Sequence, residues 1–222
     1  MLGLRDFDLG IDPQAWARSF GLADSALMAT VQQLIKAGDL SEGKPHCLMP
    51  QAQQRAEAAN QFANLLNAFS SADEESADTV GFVAETLRDE HGDSAYAIYG
   101  NLVLARQQMV EGEDPGAAVE TLSWALEKAA DHPALELVIR NRLARAQFAA
   151  GEHDAALATL DNATDADAFA AIFSELKGDV LLAKGDRDGA REAYLAAREQ
   201  SQQGRSGILE LKLSDLGVGE DA

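Results

Sequence analysis

Three segments of the chain share one spacing of small residues, and this repetition restricts the fold more than any other feature. In each segment a small residue is followed seven positions later by Gly, and five positions after that by Ala. Successive copies are 39 and 34 residues apart. A period of this size is typical of arrays built from stacked helix pairs. The three sets are Ala105 with Gly112 and Ala117, Ala144 with Gly151 and Ala156, and Gly178 with Gly185 and Ala190.

Each repeated position has a physical role in a pair of packed helices. The first small residue allows the second helix to approach the first closely. The Gly ends the first helix, because a residue without a Cβ atom is favoured at a helix C-terminus. Acidic residues follow each Gly, where the dipole of the next helix stabilises negative charge, and the Ala then faces the partner helix. Since 34 residues is the tetratricopeptide period, we predict an all-α fold, a tetratricopeptide-like α-solenoid of antiparallel helix pairs.

The chain divides by composition into four parts. Its beginning contains three of the five prolines and the only cysteine, Cys47. Near the other end, Leu209, Leu213 and Leu216 have the spacing needed to cover the apolar face that the last helix pair of an array exposes. The predicted parts are an N-terminal helical segment (1–50), a helical lead-in (51–94), a repeat array with a C-terminal capping helix (95–216) and a disordered tail (217–222).

The N-terminal segment leaves a second function open. Asp12 and Pro13 are typical of a helix start, and a second helix is predicted over residues 25–37. Together they resemble the helix-turn-helix of winged-helix domains, although the second helix offers few basic or amide groups beyond Lys36 for reading DNA. A packing module and a non-native leader are the other interpretations. The alternative function is therefore a soluble cytoplasmic regulator in which the array acts as a sensor or partner-binding domain.

The charge of the chain restricts its partners. It has 37 acidic and 18 basic residues, and its formal net charge is −19. Phosphate backbones and anionic lipids select Lys and Arg, so we expect protein partners and no nucleic acid. No run of about 18 apolar residues is present, and the first residues lack the pattern of a signal peptide. From the residues alone we expect no membrane insertion.

Residues with catalytic or metal-binding chemistry are scattered. The four histidines do not share a metal-ligand spacing. The carboxylates gather in the first turns of predicted helices, where capping explains them. No Gly-rich loop follows a strand, so no phosphate cradle is indicated. We therefore predict no catalytic residue, no cofactor and no metal site, and we do not expect an enzyme.

The first helices of the pairs carry candidate residues for a partner-binding groove. Arg and Asn side chains can hold an extended peptide by its backbone or by its terminal carboxylate. The alternative is that these side chains are ordinary solvated groups or form ion pairs with the many acidic residues. The candidates are Asn101, Arg106, Arg140, Asn141, Arg145 and Lys177.

Several runs in the array together resemble one known family. They include residues 138–147 (VIRNRLARAQ), 155–161 (AALATLD) and 175–186 (ELKGDVLLAKGD). From about residue 51 to residue 216 the chain resembles the YfgM family of ancillary SecYEG translocon subunits. The resemblance implies a tetratricopeptide-like, non-enzymatic domain that assists protein export and periplasmic folding. It implies three kinds of partner, which are translocon subunits, a membrane-anchored periplasmic chaperone and exported clients.

The first 50 residues depart from this family. Its members begin with a short cytoplasmic tail and one membrane-spanning helix, and residues 1–50 match neither. The resemblance implies a location at the periplasmic face of the inner membrane. Without a signal or spanning segment in this chain, the residues alone favour a cytoplasmic location. The sequence leaves the oligomeric state open.

Overall fold

A computed structural model describes residues 49–71, 74–163, 166, 169–201 and 207–218. Throughout these ranges the regular structure is helical, as the repeat predicts. The helix-turn-helix interpretation, His46, Cys47 and the end of the tail from residue 219 lie outside them. The helices are α1 (Met49–Ser71), α2 (Glu74–His91), α3 (Ala95–Val110), α4 (Pro115–Lys128), α5 (Pro133–Ala149), α6 (His153–Asp161), α7 (Ala170–Ala183), α8 (Arg187–Gln200) and α9 (Gly207–Asp215).

The connection between α1 and α2 is shorter than the polar composition of residues 70–76 predicts. Residues 70–76 read as a polar connector, whereas α1 extends to Ser71 and α2 already begins at Glu74. The helix α7 begins at Ala170. A turn in which the Phe169 N–H donates to the Ala166 oxygen at 2.7 Å precedes it.

The chain forms two compact units, one up to Leu104 and one from Ala105. The division falls inside α3, whereas the sequence places the start of the array at residue 95. In the first unit, α2 buries Val80, Ala84 and Leu87 at the spacing of one helix face. Buried residues of α1 and α3 complete this core, among them Ala58, Leu65, Leu66, Ala97, Ile98, Leu102 and Val103.

The second unit is the solenoid proper. Along it α4 packs on α5, α5 on α6 and α7, α6 on α7, and α7 on α8. The helix α9 then packs on α8. Its residues Leu209 and Leu213, together with Leu216 directly after the helix, join Ala190, Tyr194 and Ala197 in one buried cluster. The three leucines thus cover the last helix pair, as their spacing predicts.

In two of the three turns the Gly ends the first helix, as the repeat predicts. Gly151 and Gly185 have φ of 78° and 85°, a backbone conformation that residues with a Cβ atom rarely adopt. After each Gly, the next N–H reaches back five residues in the pattern of a Schellman turn. Glu152 donates to the Gln147 oxygen at 2.8 Å, and Asp186 donates to the Leu181 oxygen at 3.0 Å.

The first turn is one residue longer, and this corrects the predicted role of Ala117. The positive φ, 47°, belongs to Glu113 rather than to Gly112. The next helix is capped by Asp114, two residues beyond the Gly, whereas Glu152 and Asp186 directly follow theirs. The extra residue shifts α4 by one position. Ala118 is therefore fully buried, like Ala156 and Ala190, and Ala117 is only half-buried.

The leading small residue of each set is buried as expected. Ala105 and Ala144 are 2% and 0% exposed. At the third position the reason for a small residue is explicit, because a Cβ atom on Gly178 would lie 2.3 Å from Cε1 of Tyr194. The Tyr194 ring from α8 thus lies directly against the backbone of α7.

Candidate functional site

A shallow groove of ≈ 520 Å³ runs between α4 and α5. It lies where the second helix of one pair meets the first helix of the next. Pro133 occupies the first turn of α5, where its missing N–H removes no helical hydrogen bond. The groove is lined by Ser123, Leu126, Glu127 and Ala130 from α4 and by Glu136, Arg140 and Leu143 from α5.

One ion pair supplies polar groups to this groove. Arg140 contacts Glu136 through two nitrogens, Nε at 2.9 Å and Nη2 at 2.8 Å, and both reach the same oxygen, Oε1. The pair leaves the second carboxylate oxygen and the other terminal nitrogen available. Both side chains are mostly shielded, at 18% and 25% exposure. Such a pair can accept and donate further hydrogen bonds at low desolvation cost, because most water has already been removed.

Two further candidate partner-binding residues, Asn141 and Arg145, also lie on α5. Arg145 is exposed. The side-chain oxygen of Asn141 is shielded from solvent and accepts no hydrogen bond from any described residue. Its amide therefore has bonding capacity that this part of the chain does not use. Both side chains could bind a peptide, and this contact stays a prediction.

Arg106 lies close to a residue that the sequence analysis missed. Burial lowers the pKa of Arg142 to about 10, and the positive charge of Arg106 contributes to the shift. The α3 and α5 helices thus bring two guanidinium groups near each other. The i,i+3 spacing of Arg142 and Arg145 is visible in the sequence, but the burial of Arg142 is not.

The remaining candidates lie elsewhere. Lys177 forms a 2.8 Å ion pair with Asp161 and so ties α7 to the end of α6. Asn101 is fully buried. Its Nδ2 donates to the backbone oxygens of Ala97 at 2.9 Å and Ala84 at 3.3 Å. It fastens α3 to α2 and presents no surface to a partner. Of the six predicted contact residues, Arg140 lines the groove, and the other five do not.

Two features are absent from the described ranges. In those ranges, no three His, Cys, Asp or Glu side chains form a group that could hold a metal ion. Within the same residues, no helix combines the length and the apolar character needed to cross a bilayer.

A protein-family model covers most of the chain. The model, described as a tetratricopeptide repeat-like domain, matches residues 49–218. No solved structure matches the chain.

Three curated relatives share one description, ancillary SecYEG translocon subunit. The protein of Haemophilus influenzae is 30% identical over 166 residues, which are 75% of this chain and 78% of that protein. The protein of Escherichia coli K12 is 35% identical over 126 residues, which are 56% and 60% of the two chains. That of Aggregatibacter actinomycetemcomitans is 31% identical over 123 residues, which are 55% and 59%. In the last two comparisons the match spans about three fifths of the relative.

Proposed function

This chain belongs to the tetratricopeptide-like family of ancillary SecYEG translocon subunits, and on that premise we propose that it binds protein partners at the Sec translocon without catalysing a reaction. In this function it binds other proteins, and no covalent bond is made or broken. The name of the relatives supplies the partner class. The groove between α4 and α5 supplies the surface.

The groove is the observation that carries this proposal. Leu126 and Leu143 offer an apolar lining, which a partner side chain can bury. The Arg140–Glu136 pair adds one free acceptor and one free donor inside the groove. Interfaces of proteins combine such an apolar core with a few well-placed polar groups. A short segment of a partner, anchored by one or two apolar side chains, fits this arrangement.

The proposal extends to finer statements that the family resemblance suggests. We place the domain at the periplasmic face of the inner membrane and include a membrane-anchored periplasmic chaperone and exported clients among its partners. Of the predicted contact residues, Arg140, Asn141 and Arg145 lie on α5 and are proposed to contact a partner. Arg106 and Lys177 are proposed as outlying contacts. Asn101 is not part of the proposed surface, because it is buried.

Site-specific crosslinking tests the proposal. A photoreactive residue is introduced at Glu127, which is exposed and lines the groove, in the full chain produced together with SecYEG. The matched control carries it at Glu199, an exposed residue of α8 that does not line the groove. We expect translocon subunits, and the chaperone where it is present, to be crosslinked from position 127 and not from position 199.

One crosslinking result would contradict the proposed function. If a family member captures translocon subunits under the same conditions and this chain captures none, the proposed function is wrong. A titration with duplex DNA at several salt concentrations examines the regulator interpretation of residues 1–50. Sequence-dependent binding of DNA would favour the regulator over the proposed protein-binding function.

A further inference from the structure

The terminal helix α9 has buried leucines on its inner side and two exposed apolar residues on its outer side. Leu209, Leu213 and Leu216 are 3%, 0% and 5% exposed and face the core of the last pair. Ile208 and Leu211 are 65% and 67% exposed. A surface helix normally has one apolar side, and a helix that is apolar all round is covered on more than one side. Ile208 and Leu211 therefore form a second, exposed apolar pair on α9, beside the polar residues Ser214 and Asp215.

The inner side of α9 is fastened by a shared lysine. Nζ of Lys212 lies 2.8 Å from Oε1 of Glu175 and 2.7 Å from Oδ1 of Asp179. The Tyr194 hydroxyl donates to the same Asp179 oxygen at 2.7 Å. These bonds connect α9 to α7 directly and to Tyr194 of α8 through Asp179, so the cap is held by more than its leucines.

Two arginines of α8 hold the end of α9. Arg187 donates from Nη2 to the backbone oxygen of Asp215 at 3.1 Å, and Arg191 donates to that of Leu216 at 3.3 Å. The last carbonyl groups of a helix lack partners within the helix, and cations there also suit its dipole. The orientation of α9 is thus determined before any partner arrives, which lowers the entropy lost on binding.

The exposed pair is too small to be the interface of a stable homodimer. Such an interface buries about 800 Å² on each partner, far more than Ile208 and Leu211 together offer. Two copies would also each bring a net charge of −19 and repel one another. The surface fits a single helix laid across it. Asp215 is exposed one turn beyond Leu211, so positive charge suits the edge of the occupant.

The position of α9 in the array also favours a single helix as the occupant. It follows α8 in the position that the first helix of another pair would take, and in stacked arrays each such helix is covered by its successor. We propose that Ile208 and Leu211 on the outer side of α9 dock one amphipathic helix of a partner protein, whose apolar stripe is bordered by Lys or Arg. This helix continues the stack. The site is separate from the groove between α4 and α5, so it goes beyond the proposed function.

A synthetic helix tests the chemistry of the site. The probe is a 20-residue amphipathic peptide with a leucine stripe bordered by Lys, and a second peptide has Glu in place of Lys. Binding to the full chain is measured by fluorescence anisotropy. The test variant is Ile208→Ser with Leu211→Ser, and the matched control is Phe82→Ser with Val110→Ser, which removes two apolar residues that are 71% and 63% exposed elsewhere.

The expected result is specific to α9. The Lys peptide binds the unaltered chain and the control alike, and it binds the Ile208→Ser, Leu211→Ser variant at least tenfold more weakly. The thermal midpoint of that variant is unchanged, because both side chains are exposed. The Glu peptide binds at least tenfold more weakly than the Lys peptide. Equal weakening in both variants, or none in either, overturns the proposal.

Crosslinking identifies the natural occupant. A photoreactive residue at Ser214, exposed one turn after Leu211, leaves the two apolar residues in place. Mapping the crosslinked peptides by mass spectrometry is expected to give a helical segment of another protein with Lys or Arg beside an apolar stripe. A crosslink to residues 1–48 of the same chain, a crosslink to a second copy, or the absence of any crosslink contradicts the proposal. Crosslinks from Glu127 report separately on the groove.

Discussion

The second and third helix pairs have the same spacing and fill their centres differently. Nine residues after the turn glycine, α6 has Leu160 and α8 has Tyr194, which are 5% and 1% exposed. Seven residues before it, α5 has Ala144 and α7 has Gly178. The larger side chain of the third pair thus coincides with the loss of a side chain in its partner helix. What the repeat preserves is the packed volume, since protein interiors are filled to a nearly constant density.

The exchange also gives the third pair a polar connection. The Tyr194 hydroxyl bonds to Asp179 on α7, and Asp179 in turn binds Lys212 of the cap. The second pair is followed by another pair, and two ion pairs join α6 to α7, namely Lys177 with Asp161 and Lys184 with Asp154. The end of the array thus has a tyrosine where the interior has a leucine, because the end must also hold its cap.

The largest expected loss of stability comes from a substitution that disturbs the packing of the third helix pair. Gly178→Ala places a Cβ atom 2.3 Å from Cε1 and 2.4 Å from Cδ1 of the Tyr194 ring, and the ring must move. Overpacking of a core costs about 3 kcal/mol, which we expect as the loss in free energy of unfolding measured with urea.

A double variant sharpens this test. Gly178→Ala with Tyr194→Leu gives the third pair the residues of the second. We expect it to be more stable than the sum of the two single changes predicts, by about 1–2 kcal/mol. If Gly178→Ala alone leaves the stability unchanged, the volume exchange between the pairs is not the reason for the glycine.

The turns give the next largest effect. Gly185→Ala forces a residue with a Cβ atom to adopt φ of 85° and is expected to lower the free energy of unfolding by about 1–2 kcal/mol. Gly112→Ala is expected to change it by less than about 0.5 kcal/mol, because the positive φ of that turn lies at Glu113. Glu113→Gly is expected to stabilise the chain, by about 1 kcal/mol. Equal losses in Gly112→Ala and Gly185→Ala would show that the turns are alike.

The helix caps differ by a smaller amount. Asp186 accepts a 2.9 Å hydrogen bond from the Gly189 N–H, whereas Glu152 caps α6 without a side-chain bond. Asp186→Ala is therefore expected to cost about 1 kcal/mol, and Glu152→Ala only a few tenths. Thermal unfolding of the two variants side by side measures the difference, and the same shift in both would contradict it.

The smallest effect appears only in alkaline solution. Burial raises the pKa of Tyr194, and its hydrogen bond to Asp179 adds to the rise. Burial alone would lower the pKa of Lys212, but its hydrogen bonds to Asp179 and Glu175 outweigh burial and raise the pKa. A group with a raised pKa stabilises the fold fully below its unfolded pKa, about 10 to 10.5 here, and this contribution falls as the pH rises through the folded pKa.

Unfolding by urea at pH 9 and pH 11 measures this effect. We expect the free energy of unfolding to fall between the two values. In the variant Tyr194→Phe with Lys212→Met the fall is expected to be smaller, since neither group titrates. An identical fall in both proteins would remove these two side chains as its cause.

The candidate surface was only partly readable from the sequence. The i,i+4 pair of Arg140 with Glu136 follows from helical spacing, which does not reveal the groove around it. Asn101 was assigned to the surface because it is polar, but it is buried and bonds to the backbone of α2. Arg142 was missed because its spacing shows neither its burial nor its nearness to Arg106. Helical periodicity locates a residue on a face, but whether another element covers that face depends on the neighbouring helices.

What the sequence determined by itself is local. Glycines, acidic caps and helical periodicity act within a few residues, so helix pairs, two of the turns and the capping leucines could all be read directly. The tertiary structure decided the rest. It moved the buried alanine of the first pair from Ala117 to Ala118, and it set Tyr194 against Gly178. It also left α9 with an exposed apolar side. These features depend on contacts between residues distant in the chain, which spacing alone does not specify.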